Sequence, residues 1–181
     1  ARPDREDGKG RIIVVGNVPY NLSSPIVLRL LEYRDAIERA VLMLQREVAE
    51  RLAAPPGTKD YGPLTVAVAL YTRPRLDTRV PASCFSPRPD VESRLIRLDM
   101  LAEPLCRVDD PELFRHVVRS AFAKRRKTLL NNLRDADLPV ARDAIPSLLD
   151  ALGIDGTRRA ETLSVREFAS LSNRIGRGQN P

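Results

Sequence analysis

The sequence predicts an α/β unit followed by a smaller all-helical one, on three observations. Two continuously apolar runs, Arg11 to Gly16 (RIIVVG) and Arg39 to Leu44 (RAVLML), are each followed by a helical pattern, the alternation of an α/β sheet. After Pro104 the strand patterns stop and only helical periodicity remains. The 181 residues are 43% hydrophobic and 30% charged, which suffices for a real core and excludes collagen-like, low-complexity and wholly disordered chains.

Residues 1 to 10 read as a solvated loop. The RIIVVG run suits a strand buried on both faces, and Asn17 to Asn21 (NVPYN) interrupts it. Ser24 and Pro25 then offer a helix N-cap and a proline at the first helical position, with Ile26, Val27, Leu30 and Leu31 as the apolar stripe. Arg39 to Leu44 is the second strand, and a helix from Glu47 to Ala54 stops at Pro55-Pro56-Gly57. Tyr61 to Tyr71 fits a buried helix or a strand by periodicity, and its length and Pro63 favour the helix. Leu76 to Val80 and Ser93 to Met100 are further strands around the proline-rich loop PASCFSPRPDVE.

Helices are expected over Glu112 to Lys124, Thr128 to Leu133, Val140 to Leu152 and Val165 to Ile175. The last opens with Ser164 and Glu167 in capping-box spacing. The boundary between the two regions falls near residues 101 to 108, giving domains 1 to 104 and 105 to 181.

Charge is focused. The formal net charge is +6, and the window from Pro111 to Arg134 carries seven cations (Arg115, Arg119, Lys124, Arg125, Arg126, Lys127, Arg134) against Glu112 alone. Such a patch is the footprint of a phosphate-backbone binder, with an ordinary charged helix face as the other reading. Arginine outnumbers lysine 26 to 4, so isolated arginines carry little meaning. Cys84 and Cys106 stand in no ligand or disulfide spacing, so no metal site is expected, and both read as small buried residues in a reducing compartment. No apolar run approaches the roughly 20 residues of a membrane span. The N-terminal ARPDREDGKGR lacks a signal-like apolar stretch and an initial Met, which suggests a fragment. His116, the one histidine, reads as an exposed surface residue, and Glu47 and Glu50 as helix-surface charges.

Chemistry concentrates at Asn17-Val18-Pro19-Tyr20, directly after a predicted strand and so at the carboxyl edge where α/β sheets bind ligands. Methylating an adenine or cytosine amine, whose lone pair is delocalised into the ring, calls for hydrogen-bond acceptors on the amino hydrogens and an aromatic face for the extruded base. Asn17 offers its side-chain carbonyl, the turn before Pro19 a backbone carbonyl, and Tyr20 a stacking ring. Phe85 offers a second aromatic wall. Plain turn chemistry is the alternative for an Asn-x-Pro segment. Cys84 as the nucleophile of a cytosine C5-methyltransferase is disfavoured, because that cysteine belongs where Asn17 to Tyr20 stand.

NVPYNLSSPI (Asn17 to Ile26), QREVAERL (Gln45 to Leu52), YGPLTV (Tyr61 to Val66), VPASCFSPRPDVES (Val80 to Ser93) and FAKRRKTLLNNL (Phe122 to Leu133) together resemble the small-subunit ribosomal RNA adenine dimethyltransferases. The resemblance implies a Rossmann-like methyltransferase domain with a C-terminal helical domain. It implies use of S-adenosylmethionine to convert two adjacent adenosines near the 3′ end of 16S rRNA, in the 30S subunit, to N6,N6-dimethyladenosine. By the same resemblance Asn17 touches both cofactor and target amine, Tyr20 stacks and Phe85 lies near the target base, while Pro19 is the residue that makes the turn rigid. Arg115, Arg119, Lys124, Arg125, Arg126 and Lys127 would face RNA, in a cytoplasmic monomer.

One departure matters. The family's glycine-rich turn after the first strand, and the acidic residues ending its second and third strands, have no counterpart here. Gly8-Lys9-Gly10 precedes a strand, and Gly176-Arg177-Gly178 lies in the tail. The resemblance runs from the family's fourth strand onward, in a sheet ordered 3-2-1-4-5-7-6. Strands 4 to 7 would form one contiguous half-sheet with an unpaired apolar edge at strand 4. The expectation is weak or no binding of S-adenosylmethionine and no methylation by this chain alone. A non-catalytic RNA-binding or ribosome-assembly factor that starts near Ala1, and a resistance-type enzyme acting on large-subunit RNA, are the alternatives.

Overall fold

The computed structural model describes residues 10 to 177; the N-terminal stretch read as a solvated loop, with Gly8 and Lys9, and Gly178 in the tail lie outside the described residues. The chain groups into two compact units, residues 1–53 with 71–102, and 54–70 with 103–181.

The first unit is built on four strands: β1 (Ile12–Asn17), β2 (Ile37–Gln45), β3 (Thr72–Val80) and β4 (Ser93–Met100). They form one sheet in the order β1-β2-β4-β3. β1 runs parallel to β2, whereas β4 is antiparallel to both β2 and β3. The parallel pair needs a crossover, which α1 (Ser23–Glu32) supplies. A second helix, α2 (Arg46–Leu52), follows β2 directly and packs against β2, β3 and β4.

Strand periodicity sets the core: Ala40, Leu42 and Leu44 of β2 alternate with half-exposed residues, as do Ile96, Leu98 and Met100 of β4. Val27 and Leu31 of α1 and Ala49 and Leu52 of α2 are buried with them.

β1 departs from the expectation of a strand buried on both faces. It is an edge strand, and Ile12, Ile13 and Val15 are 57%, 55% and 75% exposed. Burial of its side chains depends on what packs over the faces of the sheet, which its own apolar run does not encode. β4 spans Ser93–Met100 as expected, whereas β2 and β3 run longer than the expected stretches, because ladder hydrogen bonds extend past them. β3 begins at Thr72, where the sequence suggested Leu76, and holds Pro74 within it. The second edge of the sheet tolerates a proline because one side of the strand has no ladder to supply.

α1 starts at Ser23, not after a Ser24 cap. A 3-10 turn over Tyr20–Leu22 feeds straight into it, and Ser23 Oγ donates to the Tyr20 carbonyl at 3.1 Å. α2 ends at Leu52, two residues early.

The second unit is helical: α3 (Pro63–Tyr71, its last residue in the first unit), α4 (Pro111–Ala121), α5 (Leu129–Arg134), α6 (Ile145–Ala151) and α7 (Val165–Arg177). The 54–70 segment is tied here by backbone bonds from Gly57 N–H to Glu161 at 2.7 Å and from Leu105 N–H to Leu70 at 2.8 Å. A run of rings, Tyr61 to Phe122 at 6.2 Å and Phe122 to Phe168 at 5.8 Å, continues the attachment. Burial pushes the Tyr61 phenol well up, with help from the Glu167 charge.

Each helix end follows from local chemistry. Asp110 caps α4 by accepting from Glu112 and Leu113 N–H at 2.8 and 3.1 Å, with Pro111 next. α4 ends at Ala121, so Lys124 to Lys127 lie on the loop before α5. Thr128 caps α5. α6 is shorter than the expected Val140 to Leu152, because Pro146 fits only in a first turn. It ends in a Schellman motif: Gly153 has φ +66°, and Ile154 N–H reaches the Leu149 carbonyl at 3.0 Å. The capping box forms at α7: Ser164 N–H to Glu167 Oε2 is 2.7 Å, and Glu167 N–H to Ser164 Oγ is 3.2 Å. Among the described residues no helix is long and apolar enough to cross a membrane.

Candidate active site and basic surface

The first group of sequence-selected residues sits at the carboxyl end of β1. Asn17 is the last residue of the strand, opposite Met43, and is exposed. Its side chain makes no hydrogen bond among the described residues. Val18 turns inward and is buried, its N–H held by the Met43 carbonyl at 3.1 Å. Pro19, exposed, then fixes the turn, and its carbonyl accepts from Leu22 N–H at 2.9 Å. The polar side chain is thus presented outward by a backbone anchored on both sides.

Tyr20 is half-buried, and its hydroxyl lies 3.0 Å from Ser93 Oγ. Ser93 is buried and opens β4, opposite both Gln45 at the end of β2 and Val80 at the end of β3. The Tyr20 ring is therefore pinned to the same edge of the sheet where β1, β2 and β3 end. Ser93 was not selected from the sequence as a site residue. A serine opening a strand whose other buried residues, Ile96, Leu98 and Met100, are apolar is the signal that marks it.

Phe85 lies on the loop from Pro81 to Glu92, just after a 3-10 turn over Ala82–Cys84, and is half-buried. The structure places it on the segment that leads to Ser93, but its ring makes no ring contact with Tyr20. The same loop lines an open depression of about 380 Å³ with Ser83, Arg88, Asp90 and Glu92. Cys84 is exposed on the loop turn and Cys106 is half-buried, so the expectation that both are buried fails: a turn on a surface loop has no interior to offer.

Glu47 and Glu50 pair with Arg51 and Arg94, at 2.5 and 2.9 Å. On β4, burial raises the Asp99 carboxyl, but the Arg39 and Arg97 guanidiniums outweigh it and hold the group below its usual range.

The second group lies in the helical unit. Arg115 and Arg119 are exposed on α4, and Arg115 meets Glu112 at 3.5 Å. Lys124 and Lys127 both reach Asp135 Oδ2, at 3.2 and 2.8 Å. The hydrogen bond that Lys127 donates to Asp135 holds its ammonium above the usual range, and both lysines hold the Asp135 carboxyl below its own. Arg125 donates to the Lys59 carbonyl. Arg119, Arg126 and Arg134 are exposed and have no ion-pair partner among the described residues.

The loop carrying these cations is fixed by Asn132, 3% exposed, whose Nδ2 donates to the Ala121 and Lys124 carbonyls at 2.7 and 3.1 Å. Sequence reasoning missed Asn132 and Asp135. The i, i+3, i+4 spacing of Leu129, Asn132 and Leu133 places the asparagine on the buried stripe and could have found it. His116 is half-buried rather than exposed, because its Nε2 lies 2.6 Å from the Asp137 carbonyl.

The chain is 50% identical over 165 residues to the ribosomal RNA small subunit methyltransferase A of Geobacillus thermodenitrificans, a match covering 90% of this chain and 56% of the relative. It is 43% identical over 164 residues to the protein of that name from Alkaliphilus oremlandii, covering 91% and 57%. The chain thus spans a little over half the length of these curated relatives.

Among solved structures, a dimethyladenosine transferase from Plasmodium falciparum superposes with TM-score 0.79 over 91% of this chain and 68% of that one, at 24% identity. The 23S rRNA methyltransferase ErmE superposes with TM-score 0.64 at 27% identity, covering 96% and 68%. The fold is therefore an α/β methyltransferase fold, here with a mixed four-stranded sheet. The model of ribosomal RNA adenine dimethylases matches residues 3–176, and the chain belongs to that family.

Proposed function

We propose that this chain is the substrate-side part of an S-adenosylmethionine-dependent enzyme that dimethylates N6 of two adjacent adenosines near the 3′ end of 16S rRNA in the 30S subunit. The observation that carries the reading is Asn17, exposed and without a side-chain partner among the described residues, at the carboxyl end of a strand whose sheet order is β1-β2-β4-β3. That order matches 4-5-7-6 in the family's sheet, so β1 to β4 read as strands 4 to 7. The unit of residues 1–53 and 71–102 then forms the partial catalytic domain, and the helical unit, which takes in 54–70 besides the expected C-terminal region, the RNA-binding domain, in a cytoplasmic monomer.

The target N6 amine is a weak nucleophile because its lone pair is delocalised into the ring. Asn17 Oδ1 and the Val18 carbonyl accept its two hydrogens, which orients the lone pair outward. Tyr20 offers a ring of restricted motion against which a flipped base stacks, and Phe85 closes the opposite side. Arg115, Arg119 and Lys124 to Lys127 hold phosphates.

S-adenosylmethionine supplies the methyl group. Asn17, which ends β1 and is followed by Val18-Pro19-Tyr20 and not by a glycine-rich turn, is the residue we assign to the cofactor. With one residue assigned to the cofactor, the chain alone is expected to bind S-adenosylmethionine weakly or not at all and to be inactive.

The test is mass spectrometry of nucleosides from 30S subunits lacking the modification, incubated with the longer protein that carries this chain. N6,N6-dimethyladenosine should appear at two adjacent sites and be nearly lost in Asn17→Ala. Methylation of 50S but not 30S subunits, or an Asn17→Ala variant of undiminished activity, would overturn the reading. Salt-sensitive RNA binding with no methyl transfer by that longer protein would make it an RNA-binding factor.

A further inference from the structure

Two ammonium groups in the basic loop share one oxygen atom. Lys124 Nζ and Lys127 Nζ lie 3.2 and 2.8 Å from Asp135 Oδ2. Their stems rise from one turn, closed by Lys127 N–H to the Lys124 carbonyl at 3.0 Å and braced there by Asn132 Nδ2 at 3.1 Å. Asp135 itself follows the last turn of α5, the end at which a helix disfavours negative charge. The carboxylate is held in place by the two lysines and not by its own helix.

We propose that Lys124 and Lys127 form a clamp for a single phosphodiester group of RNA, and that Asp135 occupies the place of that phosphate in the free protein. This rests on the RNA-binding reading of the helical unit. A phosphodiester offers two oxygens to two point charges, and lysine suits that role because its ammonium needs no fixed planar geometry. All three side chains are largely exposed (59%, 42% and 48%), where ion pairs are weak, so RNA displaces the carboxylate at little cost. Until then Asp135 keeps the pair ordered and cancels part of its charge. Arg126 and Arg119 lack such a partner among the described residues, so their charge is not offset in the free protein.

The test is fluorescence anisotropy of a fluorescein-labelled RNA hairpin titrated with the full 181-residue chain across a series of KCl concentrations. Asp135→Asn and Asp135→Ser should each bind about two- to fivefold tighter at low salt, the range set by the strength of exposed ion pairs. Their log K against log salt slope should steepen by about one, as for one added phosphate contact. In Lys124→Ala/Lys127→Ala the gain from Asp135→Asn should vanish. Unchanged or weaker binding by both Asp135 variants, a gain that survives without the lysines, or loss of the folded state in both variants by circular dichroism would overturn the clamp. The variant with Lys124, Arg125, Arg126 and Lys127 all changed to Ala separates the two failures. If it binds like wild type the RNA-binding reading itself is wrong, whereas if it loses binding while Asp135→Asn changes nothing, only the clamp is wrong.

Discussion

Asn132 offers a quantitative check on how the basic loop is held. Its Nδ2 bridges two carbonyls, Ala121 at 2.7 Å and Lys124 at 3.1 Å, in a site where the residue is 3% exposed. Asn132→Ala removes both hydrogen bonds, at about 1 kcal/mol each, and leaves the carbonyls short of a partner. It also removes Oδ1, which is buried without a partner and returns part of that cost. The expected loss is about 2 kcal/mol, read as a lower urea midpoint at unchanged slope.

Asn132→Asp sharpens the test. It sets a carboxylate against two carbonyl oxygens, so the neutral form is favoured and the folded pKa rises above the unfolded value of about 3.9. A group with a raised folded pKa stabilises below the unfolded pKa and loses that contribution as pH rises through the folded one. Asn132→Asp should therefore be worse than Asn132→Ala at pH 7 and approach wild type in acid. Equal midpoints for wild type and both variants at pH 7, or an Asp variant that worsens on acidification relative to wild type, would refute the reasoning.

Tyr20→Phe keeps the ring but strips the buried Ser93 hydroxyl of its partner, and should cost about 1 to 2 kcal/mol in urea unfolding. Retention of full stability would mean the ring is not pinned by that bond. Gly156→Ala would place a methyl 3.1 Å from Leu130 Cβ and 3.2 Å from Leu149 Cδ1, and should destabilise by about 1 to 3 kcal/mol through overpacking; a variant melting at the wild-type temperature would contradict this. At Glu167 burial raises the carboxyl, but Arg158 and the Ser164 donors outweigh it and hold the group below its usual range. The stability advantage of wild type over Glu167→Gln should be full above the unfolded pKa of about 4.3 and fade as pH falls through the lower folded value. A difference that grows in acid would have the wrong sign.

Local chemistry made much of the architecture readable. The Ser164 and Glu167 spacing produces the capping box, and the β-branched run after Arg11 produces β1, because both depend on residues a few positions apart. Exposure did not follow the same way. Ile12, Ile13 and Val15 look like interior residues, yet the burial of strand side chains depends on what packs over the faces of the sheet, which the residues of the strand do not themselves encode. Pro146 shortens α6 for a reason that was present in the sequence but outweighed by the apolar periodicity around it.

At the candidate site Asn17, Pro19 and Tyr20 were legible because a motif carries them within four residues. The ties that orient them were not. Ser93 lies 73 residues from Tyr20, and Asp135 reaches Lys124 across 11, so neither pairing has a local signature. The basic window was legible as net charge. Which of its cations are already engaged was not, because Asp135 stands one residue beyond it.

The central claim is that this chain carries the acceptor side of an rRNA adenine dimethyltransferase and requires the remainder of the longer protein for methyl transfer. Incorporation of labelled methyl groups from S-adenosylmethionine into unmodified 30S subunits, measured side by side for the 181-residue chain and the longer protein, tests it most directly. Labelling by the longer protein and none by the chain, with both still binding RNA, is the predicted result. Efficient labelling by the 181-residue chain alone would contradict the account.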